Sequence, residues 1–193
     1  MRSPQNVEEL RRRIASGWRA DYALFFAPDP ERPGVLGNEC LSQWYPSEMQ
    51  LDGVRLPTAE HYMMWRKARL FGDGEVEQRL LADDSPAVAK QLGRGVRNFR
   101  SEAWDRVRFE VVLQGSLAKF EQNETLRRYL LDTGDRVLAE ASAVDNIWGI
   151  GFDAADPQAR NPLLWTGQSL LGFALMQARD QLRTLSRADA PPF

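Results

Sequence analysis

The chain has 193 residues, of which 25 are Lys or Arg and 27 are Asp or Glu, so its formal net charge is −2. With 43% hydrophobic residues, this composition predicts one soluble globular domain and excludes a disordered chain and a protein that coats nucleic acid. One Cys and one His exclude an internal disulfide and the usual zinc sites. No apolar run approaches the roughly 20 residues of a membrane span and the N-terminus lacks a signal pattern, so we expect a cytoplasmic protein without membrane contact.

The elements expected first along the chain are one short helix and three strands. The helix is predicted over residues 7–14, and the strands over 22–26, 40–45 and 54–56. Asp52-Gly53 is the expected turn before the last strand.

From Thr58, a good N-cap that follows Pro57, the pattern becomes helical. Residues 136–141 fit either a strand or a helical turn. We therefore expect a predominantly helical α+β fold in a single domain, with a few short strands near the N-terminal half. Residues 1–20 are predicted to form a helical extension, 21–184 the domain and 185–193 a flexible tail. The predicted helices cover residues 58–71, 75–82, 86–92, 102–120, 124–131 and 169–182.

The predicted helix over residues 58–71 places two charged side chains, Glu60 and Lys67, in one apolar sector, roughly 10 Å apart along the axis. Burying either charge costs several kcal/mol unless it is paired. A functional interpretation is a general acid–base pair in a semi-buried cleft, where burial moves both pKa values toward neutrality. The structural alternative is that Glu60 favours the helix dipole and Lys67 extends to water.

Two other reactive residue types are interpreted as structural. His61 lies about 100° around the helix from Glu60, and no G-x-S-x-G motif supplies a nucleophile for a hydrolytic triad. We expect a hydrogen-bonded structural histidine. Cys40 is expected to be packed rather than nucleophilic.

Residues 90–100 concentrate positive charge around Arg94, which has a glycine on each side. The glycines allow the backbone to approach a ligand closely, and a guanidinium group suits bidentate recognition of phosphate. A solvated basic face is the equally open alternative.

Three later segments are candidates for ligand contact. The spacing of Trp104 favours the core over a binding surface. Residues 145–151, Asp-Asn-Ile-Trp-Gly-Ile-Gly, have the composition of a loop that binds a planar ring attached to a sugar. Their glycines are not a dinucleotide fingerprint, because Pro157 blocks the helix that such a site requires. Ser169 opens the last helix, either as a plain N-cap or beside a phosphate held by free N–H groups.

Several motifs occur in one order over residues 22–182. They include Leu41-Ser42-Gln43-Trp44-Tyr45, Thr58-Ala59-Glu60-His61-Tyr62-Met63, Ala89-Lys90-Gln91-Leu92-Gly93-Arg94, Asp145-Asn146-Ile147-Trp148-Gly149 and Gly167-x-x-Leu170-Leu171-Gly172. In this order they resemble the NADAR superfamily, specifically its YbiA/RibX type. The closing motif of that type usually has Asn where this chain has Ser169.

The resemblance implies a predominantly helical α+β fold and N-glycosidase chemistry without a metal or redox cofactor. Members of this type are similar to enzymes that hydrolyse phosphorylated ribosylamino-pyrimidines, early riboflavin-pathway intermediates, and release ribose 5-phosphate. The expected partner is therefore a small phosphorylated N-riboside. Two alternatives stay open: removal of ADP-ribose from guanine in modified nucleic acid, and a non-catalytic module that binds an ADP-ribose- or NAD-like ligand.

The resemblance also implies roles for individual residues. Glu60 is expected to be the principal acid or base, and Lys67 a second candidate, either as proton donor or as an amine that captures the opened sugar as an imine. Asp145 is expected to bind sugar hydroxyls or to assist the attacking water. The expected substrate-binding residues are Trp104 and Trp148 on either side of the heterocycle, Arg94 on the phosphate, and Trp44, Gly149 and Ser169.

Overall fold

The computed structural model describes residues 2–29 and 32–188. Within these ranges, no helix is long and apolar enough to cross a bilayer. The elements in chain order are α1 (Val7–Ala15), β1 (Tyr22–Phe25), a 3₁₀ helix (Asn38–Leu41), β2 (Met49–Leu51), β3 (Val54–Leu56), α2 (Ala59–Leu70), α3 (Gly74–Leu81), α4 (Pro86–Arg94), α5 (Ser101–Asp105), α6 (Arg108–Gln122), α7 (Glu124–Asp132), β4 (Val137–Glu140), a second 3₁₀ helix (Pro157–Arg160) and α8 (Leu170–Ala188).

Strands β1 and β4 form a parallel pair, although more than a hundred residues separate them in sequence. Their register runs from Tyr22 opposite Val137 to Phe25 opposite Glu140. The prediction of a strand over residues 22–26 is confirmed, and the open alternative at 136–141 is resolved as a strand. This strand lies in the second half of the chain, and Glu140 stands at its carboxyl end.

Strands β2 and β3 form a separate antiparallel hairpin. Asp52 and Gly53 both have positive φ, 52° and 80°, which is the geometry of the two-residue turn that the sequence predicts. The predicted strand over residues 40–45 is wrong. Neighbouring side chains there, Cys40 and Leu41, are both buried at 0% and 1% exposure, because this segment turns as a 3₁₀ helix inside the core and does not alternate as a strand would.

The helices pack around α6 and α8, and α8 also lies against β4. At Gly172 of α8, a Cβ atom would collide with the carbonyl oxygen of Leu138 in β4. A glycine at this position therefore allows the helix to approach the strand backbone closely. The same contact holds the start of α8 beside the end of β4.

Helix α2 is enclosed by α3, α4 and α6. The predicted single apolar face is wrong for its first two turns, since every side chain from Ala59 to Trp65 is buried. Tyr62 and Trp65, which the helical projection places opposite Glu60, are only 1% and 2% exposed. Gly115 of α6 provides the room: a Cβ there would lie 2.8 Å from the ring of Tyr62.

The long helix predicted over residues 102–120 is divided in two. Helix α5 ends at Asp105, and the backbone N–H of Val107 donates to the carbonyl of Trp104 at 3.0 Å in a tight turn. Helix α6 then begins at Arg108, whose guanidinium group pairs with Asp105 at 2.8 Å. The break places Trp104 on a helix of only five residues.

Helix α1 packs against the body of the fold. Leu10 is 0% exposed, and Arg11 donates to the carbonyls of Pro162 at 3.0 Å and Trp165 at 2.6 Å. At the other end, α8 extends to Ala188. Residues 185–188 of the predicted tail are therefore helical, and residues 189–193 lie outside the described ranges.

Candidate active site

Glu60 lies in the first turn of α2, almost removed from water at 4% exposure. The helix begins at the N-cap Thr58, whose hydroxyl accepts a hydrogen bond from the backbone N–H of His61. The backbone N–H of Glu60 donates to the carbonyl of Gln43 at 3.0 Å, and its carboxylate accepts a hydrogen bond from Trp44. Burial raises the pKa of this carboxyl to about 7. Near neutral pH, Glu60 can therefore both accept and release a proton.

His61, the next residue, is held inside the protein at 0% exposure. Its Nδ1 atom lies 2.8 Å from the hydroxyl of Thr58. Burial lowers the pKa of the imidazole, which favours the neutral ring at physiological pH. These contacts agree with the structural interpretation of this histidine.

Lys67 lies two turns further along α2 than Glu60. Its Nζ donates to the carbonyl of Gly93 at 2.7 Å and lies 4.2 Å from the centre of the Phe99 ring. Burial lowers the pKa of this half-buried amine, and the charge of Glu60 opposes the shift. The structure thus brings Lys67 within electrostatic reach of Glu60 and anchors its amine at the carboxyl end of α4.

Helix α4 supplies two more positive charges, Lys90 and Arg94. Both lower the pKa of the Glu60 carboxyl, and Lys90 has the larger effect. The Lys90 ammonium lies 5.6 Å from the centre of the Trp44 ring, whereas Arg94 is exposed. Arg94 therefore stands where a phosphate could reach it, and Lys90, which the sequence reasoning did not select, acts on the buried acid.

A second acid, Glu140, joins this group and was not predicted as a site residue. It ends β4, and its Oε2 atom is buried without a hydrogen-bond partner among the described residues. Burial raises the pKa of its carboxyl to about 8; Asp145 and Glu60 add to the shift, and Lys90 opposes it. The available sequence signal was a carboxylate that ends an apolar run, because the carboxyl ends of parallel strands often carry ligand-binding residues.

The loop over residues 142–151 is bound to the segment before α8 by main-chain hydrogen bonds. Gly149 is required at this seam, because a Cβ would lie 2.8 Å from the carbonyl oxygen of Asp145 and 2.9 Å from the Cβ of Ser142. The seam gives the loop a defined shape. In each of its four hydrogen bonds a backbone N–H of the later segment donates to a carbonyl of the loop: Gly167 to Ile150 at 3.0 Å, Gln168 to Asn146 at 2.9 Å, Ser169 to Gly149 at 3.0 Å and Leu170 to Ile147 at 3.1 Å.

Asp145 uses one carboxylate oxygen to shape this loop. Its Oδ1 accepts hydrogen bonds from the backbone N–H groups of Ile147 at 2.9 Å and Trp148 at 2.8 Å. The same carboxylate raises the pKa of both Glu60 and Glu140. Asp145 therefore belongs to the acid group, together with the half-buried Trp148 that its turn positions.

The predicted indoles differ in how much surface they offer. Trp44 is half-buried and borders a cavity of about 740 Å³, whose wall also includes Tyr45, Thr58 and Asp84. Trp104 is 7% exposed and packs in the hydrophobic core. Trp44 and Trp148 thus keep ring surface for a ligand, and little of Trp104 remains for one.

Ser169 has an unusual backbone conformation, with φ at +53°. It is 1% exposed, and its hydroxyl has no hydrogen-bond partner among the described residues. The expectation of a plain N-cap is therefore wrong, since this hydroxyl does not bond to the first turn of α8. Asn adopts the left-handed region more readily than Ser, which gives a physical reason for Asn being usual at this position in the type that the sequence resembles.

Residues from four parts of the fold thus form one group: Glu60 on α2, Lys90 on α4, Glu140 on β4 and Asp145 in the following loop. The carboxyls of the buried Glu60 and the half-buried Glu140 both have pKa values raised toward neutrality, so they can transfer protons at physiological pH. Half-buried indoles suit a planar ring. The arrangement can support acid–base cleavage of a bond between a heterocycle and a sugar.

Comparison with known proteins agrees with the family that the sequence motifs resemble. The model of the NADAR domain matches residues 26–183. N-glycosidase R617 of Acanthamoeba polyphaga mimivirus is 37% identical over 165 residues, which cover 83% of this chain and 95% of that protein. Riboflavin biosynthesis protein VVA0006 of Vibrio vulnificus is 33% identical over 159 residues, 82% of this chain but 38% of that protein.

A solved structure agrees with the fold. The NMR structure of the Escherichia coli protein YbiA aligns with a TM-score of 0.70 and 25% identity, covering 94% of this chain and 96% of that chain. In sequence, N-glycosidase YbiA of Escherichia coli is 32% identical over 134 residues, 69% of this chain and 75% of that protein. The predicted fold class, predominantly helical α+β, is confirmed.

Proposed function

The chain belongs to the NADAR family of N-glycosidases, and from this premise we propose that it hydrolyses phosphorylated ribosylamino-pyrimidines of riboflavin biosynthesis. The bond that breaks joins C1 of the ribose to the amino nitrogen of the pyrimidine, and the products are an aminopyrimidine and ribose 5-phosphate. The name of the Vibrio relative supports this substrate class. The observation that carries the proposal is Glu60, a buried acid with a pKa of about 7.

Cleavage of a C–N glycosidic bond develops positive charge at the sugar carbon and negative charge on the departing nitrogen. An ionised Glu60 removes a proton from water as the water attacks C1. Asp145 supports the same step by binding sugar hydroxyls or by orienting the water. Its place in the group around Glu60 supports this role.

Lys67 has two candidate roles, which one experiment separates. As a proton donor it leaves no covalent trace, whereas as a nucleophile its amine forms an imine with C1 of the opened sugar. Burial lowers the pKa of this amine, which favours either role. Borohydride added during turnover reduces an imine to a stable adduct. A ribose phosphate adduct on a Lys67 peptide would identify the covalent route, and unmodified protein with normal turnover would exclude that route.

Substrate binding is proposed for the surfaces around this group. Trp104 and Trp148 are proposed to contact the heterocycle, and Trp44 offers a further ring surface. Trp44 also borders the cavity of about 740 Å³, whose lining includes neither Glu60 nor Glu140. Arg94 is exposed and holds the phosphate, while Gly149 and Ser169 contribute backbone at the seam. Exchange of substrate for its dephosphorylated form tests Arg94: wild type should prefer the phosphorylated form, and Arg94→Ala should lose that preference.

The central test is product identification by mass spectrometry with a panel of N-ribosides. Wild type is expected to release ribose 5-phosphate from a ribosylamino-pyrimidine phosphate, and Glu60→Gln to lose about 100- to 10,000-fold in kcat, as expected for a missing general acid or base. Glu102→Gln, which changes an exposed carboxylate on α5, is the matched control and should keep full activity.

The panel also contains ADP-ribosylated guanine in an oligonucleotide. Release of ADP-ribose, which restores unmodified guanine in the oligonucleotide, with the pyrimidine riboside left intact, would move the substrate assignment to modified nucleic acid. Binding of both compounds without turnover of either would contradict an enzyme and indicate a binding module. A folded Glu60→Gln variant with full hydrolysis would contradict the role of Glu60.

A further inference from the structure

Glu140 is the strongest unexplained feature of the site. Buried carboxylate oxygens in proteins are normally hydrogen-bonded, yet Oε2 of Glu140 is buried without a partner among the described residues. The backbone of this residue is well held: its carbonyl accepts the N–H of Ile150 at 3.0 Å. The side chain is therefore placed by a rigid main chain and still has an oxygen available, either to carry a proton or to meet a ligand.

Three charged groups act on Glu140: Glu60 on α2, Lys90 on α4 and Asp145 after β4. Arg94 and Lys67 act on Glu60 alone among these acids. Lys90 favours the charged form of both Glu60 and Glu140, whereas Asp145 disfavours it for both. Glu60 is buried, and Glu140 is half-buried with its Oε2 atom removed from water. Two such acids, which share the ammonium of Lys90 beside a third carboxylate, are most stable when one of them is protonated.

We propose that Glu140 is a second catalytic carboxyl, which shares one proton with Glu60 and donates it to the leaving nitrogen. This inference rests on the proposed N-glycosidase function and assigns the proton donor that the function needs. The contacts support the assignment. The carboxylate of Glu60 accepts a hydrogen bond from Trp44, which favours its charged form, whereas Oε2 of Glu140 has no partner among the described residues, which favours the protonated form.

The step balances as follows. The Glu60 carboxylate takes a proton from water, and the water oxygen forms a bond to C1 of the ribose. The C1–N bond breaks and its electron pair goes to nitrogen, which receives the proton of Glu140. After product release Glu60 is protonated and Glu140 ionised, and transfer of the proton from Glu60 to Glu140 restores the resting state. No oxidant, reductant or metal takes part in this sequence.

The test uses two substrates that differ in their need for an acid. A ribosylamino-pyrimidine phosphate has a basic leaving nitrogen, whereas 4-nitrophenyl ribofuranoside 5-phosphate releases a stable anion without protonation. On the first substrate, Glu140→Gln should lose about 100- to 10,000-fold in kcat, and on the second it should stay within about threefold of wild type. Glu60→Gln should lose activity on both, because both need the water to be activated.

The pH profile provides a second readout that a purely structural role would not change. Wild type should show a bell-shaped dependence of kcat/KM on pH, with the rising limb from Glu60 and the falling limb from Glu140. Glu140→Gln should lose the falling limb. Glu39→Gln is the matched control, since Glu39 is also buried, at 4% exposure, with an unpartnered Oε2; it should keep both limbs.

Each outcome bears on the proposal. Equal losses on the two substrates, or an unchanged falling limb in Glu140→Gln, would overturn the role of Glu140 and leave the N-glycosidase proposal standing. Wild type that cleaves neither substrate would contradict the function itself and this role with it. If Glu140→Gln does not fold, Glu140→Asp retracts the acid by one methylene and should show the same selective loss on the nitrogen leaving group.

Discussion

At the scale of single residues, the acids that suit this site for proton transfer also weaken the fold. Glu60 is 4% exposed and its pKa is raised by burial from 4.5 to about 7. Below pH 4.5 the carboxyl is protonated in both the folded and the unfolded chain. As pH rises toward 7, the unfolded chain releases this proton while the folded chain retains it, so the folded state loses stability relative to the unfolded state.

Glu60→Gln removes this titration and should be more stable than wild type at pH 8. The expected advantage is on the order of 3 kcal/mol, and it should shrink as pH falls through 7 toward 4.5. Urea denaturation of both proteins at several pH values measures it. Glu48→Gln, at a 61% exposed side chain, should change stability by roughly 0.5 kcal/mol or less at each pH. An advantage for Glu60→Gln that is independent of pH would contradict the raised pKa.

The candidate site residues that are predictable from sequence are those whose signal is local. Glu60 and Lys67 follow from helical spacing, and Asp145 and Trp148 from the composition of one loop. Glu140 and Lys90 were missed because their position depends on contacts between distant segments: the pairing of β1 with β4, and the packing of α4 over Trp44. The apolar run before Glu140 marks a strand end, but no short window of sequence shows which distant segments meet there.

At the scale of elements, the start of α2 depends on one cap. Thr58→Ala removes the hydroxyl that accepts from the backbone N–H of His61 and also contacts its ring. We expect a loss of roughly 1–2 kcal/mol in the free energy of unfolding, measured by urea denaturation. Thr58→Ser keeps the hydroxyl and should retain most of the stability. Equal losses in the two variants would show that the methyl group, rather than the cap, is responsible.

The contact between α8 and β4 gives a second element-scale prediction. In Gly172→Ala the new methyl group meets the carbonyl oxygen of Leu138, so the helix must move away from the strand. The expected cost is roughly 1–3 kcal/mol, observed as a lower melting temperature. Gly95→Ala is the matched control, because its Cβ would have only ordinary contacts, at 3.6 Å or more. Unchanged melting of Gly172→Ala would contradict the close approach.

Helices were predictable from sequence where a capping residue precedes a helical pattern, as for α2 and α4, whose caps Thr58 and Ser85 accept backbone N–H hydrogen bonds. The errors arose where tertiary packing decides. Residues 38–41 form a 3₁₀ helix, and the last three of them are buried in succession. The break after Asp105 comes from a tight turn with an ion pair across it. Apolar periodicity continues through that break, so the sequence pattern did not indicate that the helix divides there.

At the scale of the whole molecule, we propose that residues 2–20 belong to the same folding unit as the remainder. Leu10 is 0% exposed, and the backbone N–H of Ser3 donates to the carboxylate of Asp180 on α8 at 2.9 Å. Leu10→Ala should lower the free energy of unfolding by roughly 2–5 kcal/mol in one transition, seen alike by circular dichroism and by tryptophan fluorescence. An early separate transition, with the main one unchanged, would indicate an independent extension. Leu81→Ala, at a 42% exposed side chain, is the control and should cost much less.

The seam between residues 146–150 and 167–170 consists of main-chain hydrogen bonds. Because peptide groups are common to almost all residue types, many side chains along this seam can be exchanged by mutation without displacing the acid and the indole it presents. The exceptions are Gly149 and Gly167, where no Cβ fits, the buried Ile150, and Ser169 with its positive φ. If the proposed function holds, substitutions at the exposed positions of this loop can change substrate preference while the acids stay in place, so selectivity can diverge faster than chemistry.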